Sequence, residues 1–353
     1  MKTIGRLVLS AIFLVLTGLM AAIAKFAPQI VFQFYPELST KVLGVISGIT
    51  SALPVAVWEV LALLILLWAL YTFICVFSKH NSFFGWLSGI VLTFCVGLFL
   101  FTGLWGLNHF GPSVADRLEL PVREYTKEEL IAATRYYGQQ ASMLAPEVNR
   151  NADGCAEFVD FSELAGKAGE GYQQLAGRYP MFSGKTVPVK KLAAWPLYSR
   201  FGTTGIFVCF TGESCVNPDT YEAWIPLTMC HELAHQKGVA AEDGANFCGY
   251  LACMENDDPE FRYSGAFAAY IYCNNALFEK DQAAATEIWK SVDEGIRADA
   301  NAANVHYEQY EGKVQDAAQK VNDVYLKAFS EESGVQSYGE VTDLLIAWYL
   351  QNS

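Results

Sequence analysis

His231-Glu232-Leu233-Ala234-His235 sets two of the chain's five histidines four residues apart, with an acid directly behind the first. Residues i and i+4 of a helix lie on one face, so both imidazoles can address a single atom. Glu232 sits about 100° round that helix from His231, beside such an atom and not on it. There its carboxylate can take a proton from an attacking water and return it to a leaving amine. Two neutral nitrogens and one more protein ligand suit Zn2+, with a fourth corner left for solvent. The third ligand must come from beyond this helix. Gly238 is placed to end it in a left-handed residue and reverse the chain. Glu242 and Asn246, again four apart, then share a face of the next helix, so Glu242 is the expected third ligand and Asn246 the partner of a ligand imidazole. Asp243 is the rival ligand, but it points about 100° away. The alternative is a polar helix end whose histidines satisfy buried backbone groups.

The elements that must hold these residues are legible in part. Thr204–Thr211 is β-branched and aromatic and bounded by glycines, which predicts a strand. A helix should begin near Tyr221, with Pro226 in its first turn, and carry the two histidines. Thr126-Lys127-Glu128-Glu129 has the form of a capping box, so a helix runs from there to about Leu144. Further helices are expected over Phe161–Arg178, Glu242–Met254, Phe261–Glu279, Ala283–Val292 and Tyr338–Leu350, and over Glu294–Phe329 with a break near Gly312. Lys190-Lys191 falls in a turn-rich stretch and reads as a solvated face. The region after residue 112 is therefore mainly helical with one small sheet.

Ahead of it the chain is apolar. Leu7–Ala24, Val55–Phe77 and Leu87–Phe110 are each long enough to cross about 30 Å of hydrocarbon, so residues 1–112 read as three membrane spans and 113–353 as a separate domain. The first run also has the charged start and small-residue end of a signal peptide, but its apolar character resumes at Ile30-Val31-Phe32 with no polar mature start. Lys2, Arg6 and Lys79 mark the cytoplasmic side, which puts everything after Phe110 outside a multi-pass cell-membrane protein. Glu59, near a span end, can reach the headgroups. A net charge of −13 excludes a phosphate-binding surface and with it a nucleic-acid partner. Seven of the nine cysteines follow the spans; Cys209 and Cys215 flank a turn and are the expected disulfide.

Glu242-Asp243-Gly244-Ala245-Asn246 resembles the E-x-x-A-D element of membrane-associated gluzincin peptidases, whose leading Glu is the third zinc ligand and whose closing Asp orients a histidine. Asn246 replaces that Asp, and the element stands closer to HExxH than in those enzymes. Metzincins have a comparably compact spacing but would need histidine where Ala241 stands. A closer likeness covers nearly the whole chain. Three spans, Phe210-Thr211-Gly212-Glu213 with Val216-Asn217, HELAHQKG with EDGANF, Phe261-Arg262-Tyr263-Ser264-Gly265, Val321-Asn322-Asp323 with Tyr325-Leu326-Lys327, and Gly334-Val335-Gln336-Ser337-Tyr338-Gly339 resemble the bacterial domain-of-unknown-function family 3810. The resemblance implies a zincin-like, membrane-anchored α+β fold. Tyr263 and Tyr338, in its matching segments, are the candidate donors to an oxyanion, with Tyr325 a third; each is also an ordinary packing residue. Glu213 would bind a substrate amine or stand as a turn acid in water, and Arg262 would pair with a substrate carboxylate, with Glu213, or within an ordinary structural ion pair. His80, His109 and His306 stand alone.

The expected function is that of a membrane-anchored zinc metallopeptidase cutting peptides or cell-envelope proteins. Two rivals accompany it: a non-catalytic envelope binding or signalling protein with a structural metal or none, and a metal-dependent hydrolase of a cell-wall amide.

Overall fold

The computed structural model of the chain describes residues 3–78, 82–328 and 337–353, of which 325–328 and 337–340 in backbone only. The fold divides into two units, Met1–Gly111 with Val208–Glu213, and Pro112–Phe207 with Ser214–Ser353.

In the first unit, Thr3–Phe26, Val57–Phe77 and Phe83–Leu104 are helices long and apolar enough to cross a membrane. None of the residues of Val57–Phe77 is buried by protein, as suits a helix solvated by lipid. Thr3–Phe26 belongs to the bundle: Arg6 donates to the Gly85 carbonyl at 2.7 Å, and the Met20 methyl lies 3.9 Å from where a Cβ on Gly103 would stand. Low positions thus meet low and high meet high, so these two helices run parallel, as crossings separated by one return pass do. The third span is shorter than its sequence suggests. Trp105 leaves the helical region at φ −149°, and Gly106–Phe110 continues as a 3-10 turn.

The segment between the first two spans holds a further helix at Tyr35–Thr50. Its buried positions are Tyr35, Ser39, Leu43 and Ser47, one per turn. Ser39 donates to the Leu104 carbonyl at 2.6 Å. Glu213 is neither in water nor open to a substrate amine. It is 2 % exposed, and its two carboxylate oxygens accept the backbone N–H groups of Val57 and Trp58 at 2.9 Å each. The free amides and positive dipole end of the second span explain why an acid is stable there.

The second unit is built round one helix, Pro259–Lys280, which buries Phe261, Tyr263, Phe267, Tyr270 and Leu277. Each such aromatic contributes on the order of 2 kcal/mol of burial. Lys127–Leu144 packs along it, started by the expected capping box of Thr126 and Glu129. The predicted Phe161–Arg178 helix is two, Phe161–Lys167 and Glu170–Ala176. The break lies just before Gly171, where a Cβ would stand 1.8 Å from the Ala252 carbonyl oxygen, so the second piece lies directly on the backbone of Glu242–Met254. Helices Glu294–Glu308 and Lys313–Ala328 are separated at Gly312, whose φ is +150°. Ser337–Asn352 closes the unit and buries Val341 and Leu345.

The sheet has three strands, β1 (Lys190–Lys191), β2 (Gly205–Val208) and β3 (Glu213–Val216), in the order β1-β3-β2. The predicted strand therefore stops at Val208 and turns at Gly212, whose φ of +63° suits glycine. β1 pairs parallel with β3, Lys190 opposite Cys215, so Lys190 is 8 % exposed and off the solvated face, whereas Lys191 is exposed as expected. Cys209 and Cys215 are both free thiols. The Asn217 N–H donates to the Thr204 carbonyl at 2.7 Å, a register that puts Cys215 opposite Ile206 while Cys209 stands in the turn.

Candidate metal centre

Helix Ile225–Gln236 carries both histidines and has Pro226 in its first turn, where the missing N–H costs nothing. Its end is made by Gly238 at φ +81°, with Gly238 N–H on the His235 carbonyl (3.0 Å) and Val239 N–H on the Ala234 carbonyl (3.1 Å). The reversal also orients a ligand, because the Val239 carbonyl accepts the Nδ1–H of His235 at 2.7 Å. Glu242 opens the next helix, Glu242–Met254, one turn ahead of Asn246.

The three expected ligands converge. His231 Nε2 lies 3.1 Å from His235 Nε2 and 3.2 Å from a Glu242 oxygen, and His235 Nε2 is 3.8 Å from the other Glu242 oxygen. All three ligand atoms lie within 4.8 Å of one another. Zinc bonds of ~2.0–2.1 Å at tetrahedral angles separate neighbouring donors by about 3.3–3.4 Å. The His231–His235 and His231–Glu242 spacings fall just short of that figure, and the distance from His235 to the other carboxylate oxygen exceeds it.

The proton inventory tests the fit independently. A carbonyl only accepts, so His235 carries its proton on Nδ1. His231 Nδ1 faces Asn246 Oδ1 at 3.0 Å, which likewise makes it a donor. When both rings are neutral, their Nε2 lone pairs meet at one point beside a carboxylate. Three acceptors at this range repel unless a proton or a cation stands among them. The donor set, two imidazoles and a carboxylate, suits a divalent metal of the zinc type.

Glu232 stands beside this point. It is 4 % exposed, and its Oε2 is buried without a hydrogen-bond partner among the described residues. Its other oxygen lies against β2: a Cβ on Gly205 would sit 2.4 Å from Oε1. Burial pushes the Glu232 carboxyl up to about 8, eased by His231 and reinforced by Glu242. Burial opposes a charge on His231, but the hydrogen bond and charge of Glu242 outweigh it and raise the ring to about 8. The Glu232 shift comes first from burial and the His231 rise from Glu242, and a cation among these groups would favour the ionised carboxyl and the neutral ring.

Asn246 Oδ1 also accepts the hydroxyl of Tyr272 at 3.3 Å. Tyr272 comes from the central helix Pro259–Lys280, with its ring 5.8 Å from that of Trp224. No spacing rule links it to the histidines, and only tertiary packing reveals it. Tyr263 is placed otherwise. It is fully buried, and its hydroxyl donates to Asp299, which also accepts the Ala156 N–H (2.7 Å), the Tyr221 hydroxyl (3.1 Å) and Arg150 (3.0 Å). That phenol is committed to a structural cluster and has no donor left for an oxyanion. The side chains of Tyr338 and Tyr325 lie outside the described residues, as does His80. Arg262 pairs with Glu147 at 3.3 Å, and His306 contacts the Asp219 carbonyl at 2.6 Å.

Residues 32–346 match the model of a family described as "Protein of unknown function (DUF3810)". No curated protein and no solved structure matches the chain.

Proposed function

The chain belongs to this family of unknown function, and from the convergence of His231, His235 and Glu242 we propose that it is a membrane-anchored zinc-dependent peptidase. Zinc in this triangle would supply a Lewis acid for the scissile carbonyl and lower the pKa of a bound water. Glu232 accepts the proton of the attacking water on its unpartnered Oε2 and hands it to the leaving nitrogen. Burial raises the proton affinity of the carboxyl, and a cation beside it would keep it ionised and ready to accept the proton.

Substrate orientation falls to β2. It is an edge strand by sheet order, it is half-buried, and its first residue touches Glu232. An extended peptide adding to that edge would have its backbone carried past the proton acceptor, with strand hydrogen bonds supplying affinity independent of sequence. The three apolar helices and the charge bias at Lys2 and Arg6 support an anchored chain with its catalytic unit outside the cell. Peptides and envelope proteins are the substrates such a placement offers.

The observation that carries the reading is the convergence of His231 Nε2 and His235 Nε2, 3.1 Å apart, with a Glu242 oxygen 3.2 Å from the first. Metal analysis of the purified protein, with a peptide-library digest of wild type and Glu232→Gln, tests it. One equivalent of zinc in both proteins and cleavage by wild type alone is the expected result. Absence of zinc, or equal cleavage by both, refutes it.

A further inference from the structure

We infer that Tyr272 is a positioning residue of this centre: it holds the Asn246 amide in the one orientation that leaves His231 able to bind a metal. The inference rests on the metal reading above.

A neutral imidazole binds a metal only through the nitrogen that lacks a proton, so the partner at Nδ1 decides whether Nε2 is available. An aspartate at position 246 would make that decision unaided, because it can only accept. An asparagine can err. Rotated by 180°, its amide would present Nδ2–H to His231 Nδ1, move the ring proton to Nε2 and block the ligand position.

Two contacts oppose the rotation, and both fall on Oδ1. One is His231 Nδ1 at 3.0 Å and the other is the Tyr272 hydroxyl at 3.3 Å. Asn246 Nδ2 is buried with no hydrogen-bond partner among the described residues, so the far side of the amide anchors nothing. Its orientation is therefore decided at Oδ1. A reversed amide would set Nδ2 hydrogens against both, so His231 Nδ1 would have to turn acceptor, and the Tyr272 hydroxyl, though able to accept through its oxygen, would lose Oδ1 as the acceptor of its own hydrogen. His235 has no such ambiguity, because its partner is the Val239 carbonyl. The weak point of the ligand set is His231, and Tyr272 is what this chain has in place of the negative charge an aspartate would bring.

The test measures zinc affinity of the full-length protein in detergent, by competition with a chromophoric chelator, for wild type, Y272F, N246D and Y272F/N246D. Y272F keeps the ring and removes one hydrogen, and it should weaken zinc binding about tenfold, the lower end of what losing an outer partner costs. Y272F/N246D should return to wild-type affinity or better, because an aspartate needs no help to stay an acceptor. Y272F should cost nothing once position 246 is an aspartate, so Y272F/N246D should match N246D, whereas a packing defect would leave the double variant as far below N246D as Y272F is below wild type. Y272F binding zinc as wild type does, or Y272F/N246D binding no better than Y272F, overturns the role given to Tyr272 and leaves the metal centre standing. If wild type itself does not bind zinc, the metal reading fails and this inference with it.

Discussion

Replacing Gly205 by alanine perturbs Glu232, the proposed proton acceptor, without touching a proposed metal ligand. The new methyl would stand 2.4 Å from Glu232 Oε1, 2.8 Å from Cγ and 2.9 Å from Cδ, where ordinary contact begins at 3.4 Å. The carboxylate or the strand must give by the difference, 3.4 − 2.4 = 1.0 Å. Glu232 is buried on all sides, so it cannot swing into solvent, and overpacking of this kind costs ~1–3 kcal/mol. A misplacement of about 1 Å at a reacting group lowers turnover on the order of 100-fold. His231, His235 and Glu242 meet at a point beside Glu232 and keep their mutual distances, so zinc content should be unchanged. Single-turnover cleavage of a peptide that the wild type cuts, with metal analysis and thermal unfolding on the same sample, is the assay. A folded, zinc-loaded Gly205→Ala protein that cleaves at the wild-type rate would refute the placement of Glu232 as proton acceptor against β2.

Other consequences are equally open to measurement. Glu242→Ala removes one of the three proposed ligands and should lower zinc affinity by more than the outer-partner change in Y272F does, read in the same chelator competition. Cys209 and Cys215 are free, so a thiol titration of the unreduced, denatured chain should count all nine cysteines; seven would show a disulfide. The hydrogen bonds of Arg123 and the Thr126 N–H hold the Glu129 carboxyl down to about 2, below its ordinary 4.5. Because the folded value is the lower one, this group's contribution is full above pH 4.5 and is lost as pH falls towards 2. Glu129→Gln should flatten acid unfolding, followed by circular dichroism, over that window and leave it unchanged near neutrality. Glu213→Gln removes the charge at the start of Val57–Phe77, and a lower thermal midpoint for the full-length protein is expected, as a helix-capping carboxylate contributes ~1 kcal/mol.

Local pattern was enough for whatever one helix turn or one solvent exchange decides. The spacing of His231 and His235 sets their common face whatever surrounds them, and Gly238 is the residue a left-handed reversal needs. Long apolar runs made three membrane-length helices legible, since no soluble packing explains so many lipid-type residues in sequence. Patterns failed where a partner distant in the chain intervenes. Tyr35–Thr50 buries serines and turns Val45 and Ile49 outward, so it shows no amphipathic signature of the soluble kind. Glu213 reads as a surface acid until the amides of Val57 and Trp58 are brought to it from over a hundred residues away. Tyr263 and Tyr272 sit nine residues apart on one helix, chemically identical in sequence. One is tied to Asp299 and the other reaches Asn246, and only the packing of Pro259–Lys280 against its neighbours tells them apart. The sequence by itself determined which residues are able to hold a metal, because ligand chemistry belongs to the side chain and helical spacing to the backbone. Tertiary structure alone decided which protons those ligands carry, because that depends on the carbonyl, amide and phenol that other segments bring within hydrogen-bond reach.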